Sequence, residues 1–415
     1  MVKIREEKFY KLYCDFMKAG LKSFDEPFVR KILFDEEQRK WGLWNLLMRN
    51  HKFFYKLKEY IELEVWIKLH PKIDSQMNGI VGYGTYSEML PLYTILMQGL
   101  YTHMLHSGLE LDMPLINGMY VTLEKFLLSP KISIKSITPL QGVKIKEDFE
   151  IEKGLIIKNI KNDENLEDFV RKNYETVLPE NAIMHKFELP KLVNRDEIVD
   201  ADQFYRGYEE LPSKLIEALR LFKSGKIGGL ETITTAPMFH DHKRQIESSV
   251  LRERFWFPDG DYQLKKEEFD DFKKFWIQYV NITKNENGAF LRRTIRRFMD
   301  YFSKERWNDK FLDLIICLEI LFKNDEKDNS PKISSRLKKF LEDYDKSIFD
   351  NCVIAYRIRN DFVHGGNGES LEDINKEVLF KIDEKIEEYV RKSIKKFMGV
   401  LEDKSKTKQS IISKL

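Results

Sequence analysis

One short segment concentrates side chains that can handle a phosphate and a proton. Residues 356–366 contain two arginines, an asparagine, an aspartate and a histidine, followed by a pair of glycines. A histidine titrates near neutral pH and can therefore exchange a proton, and an arginine can bind a phosphate with two parallel hydrogen bonds. We take Arg359, Asn360 and His364 as candidate catalytic residues. Arg357 stays open as a substitute for Arg359.

These residue types suit the cleavage of RNA by its own 2′-hydroxyl group. The reaction removes a proton from that hydroxyl and supplies one to the leaving 5′-oxygen, and His364 would serve one of these roles. Arg359 would stabilise the negative charge that accumulates at phosphorus. Asn360 would hold the imidazole or a phosphate oxygen. A Mg²⁺ nuclease needs clustered carboxylates, and Asp361 alone is not a cluster, so we expect no metal and no cofactor.

The segment is predicted to form the last turns of a helix, because Gly365-Gly366 is typical of a helix C-terminus. At roughly 100° per residue, Asn360 and His364 lie on one face, and Arg357 lies on it too. Arg359 is offset from His364 by roughly 140° on an ideal helix. It would join the site by its long reach, by a bend near the glycines, or across a dimer interface.

The elements around this segment are predicted to be helices of one bundle, because apolar residues recur at helical spacing after about residue 262. The predicted helices are Phe269–Val280, one with the stripe Leu291, Ile295, Phe298 and Phe302, then Phe311–Phe322, Ile333–Leu341, and a last one from about Leu371 to Leu401.

Upstream of the bundle the periodicity changes. Residues 131–137 alternate polar and apolar side chains, as a half-buried strand does. The predicted fold class is therefore α+β and multidomain. It comprises a mainly helical region over 1–127, a β-rich or α+β domain with a sensor role over 128–245, the helical domain over 262–402, and a flexible basic tail over 403–415.

Composition excludes several classes of protein. Of 415 residues, 70 are Lys or Arg and 68 are Asp or Glu, so any nucleic-acid contact must come from local patches rather than a global field. The three cysteines form no CxxC pair, which excludes a disulfide framework or zinc knuckle and suits a reducing cytosol. We found neither an apolar signal core at the first residues nor a membrane span, and we expect a soluble cytoplasmic protein.

The motif resembles that of HEPN domains, whose signature is Arg–x4–6–His, and more specifically that of the Apea-like HEPN group. The matching stretches are Leu314-Ile315-Ile316-Cys317-Leu318-Glu319, then Ile333-Ser334-Ser335-Arg336-Leu337, and Arg359-Asn360-Asp361-Phe362-Val363-His364-Gly365. The resemblance covers about residues 262–402. The stretches 140–160 and 220–230 also look like the domain that precedes HEPN in such proteins.

The resemblance implies a four-helix bundle, a homodimer formed through the HEPN domain, and metal-independent RNA cleavage by the Arg and His of the motif. It also implies a role as a toxin or in anti-phage defence, with an antitoxin or trigger protein as a partner. Many HEPN domains are inactive, so the alternative is a non-catalytic module that binds nucleic acid, nucleotide or a partner protein.

Three further residues would support the motif, namely Glu319, Arg357 and Arg336. Glu319 lies in a nearly all-apolar helix, where a buried carboxylate needs a partner. It would orient Arg359, or it would instead pair with Arg336 or be exposed.

A basic cluster opposite an apolar stripe is the candidate RNA-binding surface, and a solvated face paired with local acids is its alternative. Its members are Arg292, Arg293, Arg296 and Arg297. The histidines at 103, 106, 240 and 242 lack a third ligand at a diagnostic spacing, so we predict no metal site there.

Overall fold

The structure is a computed structural model of the chain. It describes residues 6–24, 32, 46–47, 51–70, 80–82, 87–89, 92–129, 131–173, 179–190, 198–236, 244–249, 261–284, 286–325, 328–342, 344–363 and 376–415. Two compact units are present: Met1–Ser136 with His185–Glu210 and Ile233–Ser249, and Ile137–Met184 with Leu211–Thr232 and Val250–Leu415.

The described helices include the following: α1 Glu7–Lys22, α2 His51–Phe54, α3 Lys58–Lys68, α4 Leu92–Ser107, α5 Met113–Leu128, α6 Glu164–Asn173, α7 Ile198–Phe222, α8 Phe269–Lys284, α9 Ala289–Ser303, α10 Trp307–Phe322, α11 Ser330–Phe340, α12 Ile348–Val363, α13 Lys376–Val400 and α14 Lys408–Ile412. No helix in these ranges combines the length and the apolar character needed to cross a membrane.

The described strands include β1 Ile80–Gly82, β2 Ser87–Met89, β3 Lys131–Gln141, β4 Val143–Lys144, β5 Phe149–Glu152, β6 Leu155–Asn159, β7 Asn181–Pro190, β8 Gly228–Gly229, β9 Thr232–Ala236, β10 Arg244–Ser249 and β11 Tyr262–Gln263. The largest sheet has the order β10-β9-β3-β7-β6-β5, with β8 also paired to β3. The expected mixed α+β class is therefore present.

The β5–β6 hairpin shows how sequence sets the sheet locally. Its strands are antiparallel, with Phe149 opposite Ile157. Gly154 occupies the turn at a φ of 85°, a backbone conformation that side chains disfavour and glycine tolerates. Alternate residues Phe149 and Ile151 are buried while Glu150 and Glu152 are exposed, as the period of two requires.

In the first unit, the amphipathic helix α1 packs against α3, α4 and α5. Phe9 of α1 is fully buried and stacks on Trp66 of α3, with ring centroids 5.1 Å apart. Gly20 allows α1 to approach α4 closely, because a Cβ atom there would lie 2.8 Å from the side chain of Leu100.

In the second unit, sheet residues such as Leu140 and Ile157 share one apolar core with the helices that follow residue 262. Helix α10 lies in the middle of those helices and packs against α9, α11, α12 and α13. Its central position explains why Leu314, Cys317 and Leu318 are fully buried. The domain boundaries drawn from sequence periodicity stay a prediction.

Two buried arginines connect α7 to the helices of the same unit. Arg391 of α13 donates from Nε to the backbone carbonyl of Arg220 at 3.0 Å, and it is paired with Glu387. Arg220 itself donates from Nε and Nη2 to the carbonyl of Ile227, at 3.1 and 2.9 Å. Charge-assisted bonds satisfy these buried cations, so the end of α7 is held against α13.

The chain end differs from the predicted flexible tail. Thr407 caps α14 through its side chain, Ile411 belongs to the core of the second unit, and Ile412 is buried beside it in sequence. Asn287 donates to the carbonyls of Lys404 and Lys406, at 3.1 and 3.4 Å. The flexible tail was predicted from its lysines, because two isoleucines in a short segment are too few to show helical periodicity.

Candidate active site

Helix α12 positions the described part of the motif. It packs against α10, α11 and α13, and its buried side includes Cys352, Ala355 and Ile358. Arg357 and Asn360 lie on the exposed side, as the helical wheel predicts, and Arg359 is half-buried. His364, Gly365 and Gly366 lie outside the described residues.

A direct contact joins two of the three predicted catalytic residues. Nη1 of Arg359 donates a hydrogen bond to Oδ1 of Asn360, with a donor–acceptor distance of 3.1 Å. Neighbours in sequence point about 100° apart on a helix, so the bond requires the long arginine side chain to curve towards the exposed face. The guanidinium thus reaches the face of Asn360 within one chain.

Tyr356 is a residue of the site that the sequence reasoning missed. Its side chain is 5% exposed, and its hydroxyl has no hydrogen-bond partner among the described residues. Burial raises the pKa of Tyr356, Cys352 and Glu319 raise it further, and Arg359 opposes them. Tyr356 lies one turn before Arg359 and Asn360, and that spacing was the available signal.

Glu319 is half-buried on α10, near enough to Tyr356 to act on the pKa of its hydroxyl. Within the described ranges, no ion pair joins Glu319 to Arg359 or to Arg336. Arg336 instead donates to Oδ2 of Asp328 at 2.5 Å and to the carbonyl of Phe322 at 2.8 Å. This pairing lowers the pKa of Asp328. Arg336 therefore binds the carbonyl end of α10, and neither pairing expected for Glu319, with Arg359 or with Arg336, is present among the described residues.

The end of α12 is anchored on the start of α10. The ring of Phe362 meets the indole of Trp307 edge-on, with centroids 5.6 Å apart. Asp361 is half-buried, and its Oδ2 has no hydrogen-bond partner in the described structure. The aromatic contact holds the last turn of α12 against the first turn of α10.

The four arginines of α9 do not share one environment. Nη1 of Arg297 lies 3.1 Å from Oδ1 of Asp313, a carboxylate that is 1% exposed, and 3.7 Å from Oδ2 of Asp300. Arg293 and Arg296 are exposed, and Arg292 is half-buried. Arg297 is thus paired with a buried carboxylate, whereas Arg293 and Arg296 face solvent.

No group of three or more potential metal ligands occurs among the residues that the structure describes. His103 accepts a hydrogen bond at Nε2 from the backbone amide of Asp112 at 3.1 Å, and burial lowers its pKa. The ring of His106 is 2.8 Å from the carbonyl of Thr102. Both rings thus have local partners; His240 and His242 lie outside the described residues.

Comparisons with protein-family models, with curated proteins and with solved structures each found no match for this chain. The resemblance to Apea-like HEPN domains therefore depends on the motif residues themselves.

Proposed function

We propose that the chain is a metal-independent endoribonuclease of the HEPN type, with the helices after residue 262 as its HEPN bundle. His364 is the general acid or base, and Arg359 binds the phosphate. One observation carries this proposal: the guanidinium of Arg359 is held by Asn360 at the exposed face of α12. A half-buried arginine held in this way loses little further freedom when it binds phosphate, and planar bidentate binding suits its guanidinium.

The other expectations of the resemblance belong to the same proposal. The protein is a cytoplasmic homodimer that pairs through the HEPN helices, and it acts as a toxin or an anti-phage defence effector. Val353 and Val363 support the dimer, because they are 40% and 51% exposed on α12. Residues 1–245 bind a trigger or an antitoxin that controls cleavage.

The decisive test is RNA cleavage in the presence of EDTA. The wild-type protein is expected to cleave and His364→Ala to leave the RNA intact. Circular dichroism spectra and melting curves that match those of the wild type show that the variant is folded. RNA bound equally by both proteins and cut by neither would favour the alternative, a non-catalytic HEPN module. Equal cleavage by both would remove His364 from the mechanism.

A further inference from the structure

The docked chain end brings cations from three helices together. Lys408 of α14 donates from Nζ to the carbonyl of Lys323 at 2.7 Å, and Arg336 of α11 binds the adjoining carbonyl of Phe322 at 2.8 Å. Lys408 also lies 5.8 Å from the ring of Phe290, which is one turn before Arg293 on α9. We name Arg293, Arg336 and Lys408 the C-terminal basic cluster.

Positive charge exceeds negative charge around Lys408. Burial, together with the nearby guanidinium groups of Arg293 and Arg336, lowers the pKa of Lys408 to about 8. Asp328 acts in the opposite direction, but it already accepts a hydrogen bond from Arg336. The Lys408 ammonium is thus repelled by two guanidinium groups and attracted by one carboxylate, which Arg336 also binds. A bound anion would offset this excess of positive charge.

The donors that remain suit phosphate oxygens. Arg293 is exposed. Lys408 is half-buried, and its ammonium has three protons, of which one is used by Lys323. Apolar groups here are turned inwards, with Phe290 6%, Ile411 8% and Ile412 2% exposed. Insertion into a lipid surface would require exposed apolar side chains, so the face favours a polyanion in solution over an inserted membrane contact.

We propose that the C-terminal basic cluster binds the phosphodiester backbone of RNA, with Arg293 and Lys408 contacting phosphates and Arg336 contributing fixed charge. The choice of RNA rests on the proposed ribonuclease function. Phe362 packs at the start of α10, whereas Lys408 bonds just beyond the end of this helix of 16 residues, about 24 Å away. The cluster is therefore distinct from the contact that holds the last turn of α12.

The test is the fluorescence anisotropy of a short labelled single-stranded RNA, titrated with the full-length protein in EDTA over a series of KCl concentrations. All proteins carry His364→Ala to prevent cleavage. Arg293→Gln with Lys408→Gln is expected to weaken binding about tenfold at low salt. It should reduce the slope of log K against log salt by about 1.4, since each phosphate contact on a single strand contributes about 0.7.

The matched control is Lys274→Gln with Lys381→Gln, which removes the same charge from side chains that are 77% and 69% exposed elsewhere in the second unit. Equal affinity and slope in the test and control proteins would overturn the proposal. If Lys408→Gln lowers the melting temperature, the single variant Arg293→Gln is used to test the proposal, because it alters an exposed side chain. It should still reduce the slope of log K against log salt by about 0.7.

Cleavage assays separate the two proposals. If the wild type binds RNA through the cluster but cuts nothing, the ribonuclease proposal fails and the binding site stands. If the wild type cleaves and the Arg293→Gln protein binds with unchanged affinity and slope, the binding site fails and the ribonuclease stands. Binding of poly-glutamate that needs the cluster, without binding of RNA, would overturn the proposal in favour of an acidic protein partner.

Discussion

The guanidinium of Arg359 and the side-chain amide of Asn360 are hydrogen-bonded at 3.1 Å. On an ideal helix Arg359 is turned away from the face of Asn360, and the sequence alone could not decide how it would return. The contact shows that side-chain reach is sufficient for this step. A bend or a second subunit is not needed to bring Arg359 to Asn360.

Arg359→Ala is expected to lower single-turnover RNA cleavage by about 100-fold, the scale of removing one donor that stabilises transition-state charge. Arg357→Ala is the matched control, because it removes an exposed arginine two residues earlier on the same helix. It should change the rate by no more than a few-fold. A larger loss in Arg357→Ala than in Arg359→Ala would assign the phosphate to Arg357.

Tyr356→Phe is expected to leave the free energy of unfolding unchanged or to raise it by up to about 1 kcal/mol, because a buried hydroxyl without a partner costs stability. The control is Tyr389→Phe. The hydroxyl of Tyr389 donates to Asp345 and accepts from Asn351, both at 2.8 Å, and its removal should cost about 1–2 kcal/mol. Urea denaturation of both variants measures the difference. If Tyr356→Phe lowers the free energy of unfolding as much as Tyr389→Phe does, the hydroxyl of Tyr356 has a hydrogen-bond partner.

Asp383→Asn is expected to stabilise the protein at pH 8 and to have no effect below pH 4. Asp383 is 8% exposed and accepts from the hydroxyl of Tyr301 at 2.9 Å. Burial raises its pKa from 3.8 to about 6, Glu384 adds to the rise, and Tyr301 and Lys310 oppose it.

The sign of this effect follows from proton linkage. The fold favours the protonated acid, so the contribution of Asp383 is fully present below the unfolded pKa and is lost as the pH rises through about 6. At pH 8 the gain from Asp383→Asn should reach about 1–3 kcal/mol. Thermal melts across pH 4–8 would measure it, with the exposed Glu305→Gln as a control. A constant difference at every pH would contradict the prediction.

Ile412→Ala is expected to destabilise the second unit by about 2–4 kcal/mol, because the side chain is 2% exposed and its removal leaves a cavity. Ser413→Ala changes the next residue, which is exposed, and should have an effect within about 0.5 kcal/mol. Calorimetry of both variants compares them. Equal melting temperatures would mean that the chain end does not contribute to the core.

Local patterns predicted much of the secondary structure. The apolar stretch Phe311–Phe322 predicted α10. The helix itself begins at Trp307, and the prediction began one turn later because the first turn is mostly polar and shows no apolar stripe. Alternation predicted part of β3, and the period of the helical wheel placed Arg357 and Asn360 on one exposed face. These features depend on neighbours within a few residues, so the sequence by itself determined them.

Only the tertiary structure decided which charged groups are paired or buried within the fold. Arg297 meets a carboxylate 16 residues away at Asp313, and Lys408 meets a carbonyl 85 residues away at Lys323. Asp383 acquires its raised pKa from the helices packed around it. Such partners and burial depend on contacts between distant segments, which no spacing within one helix can reveal.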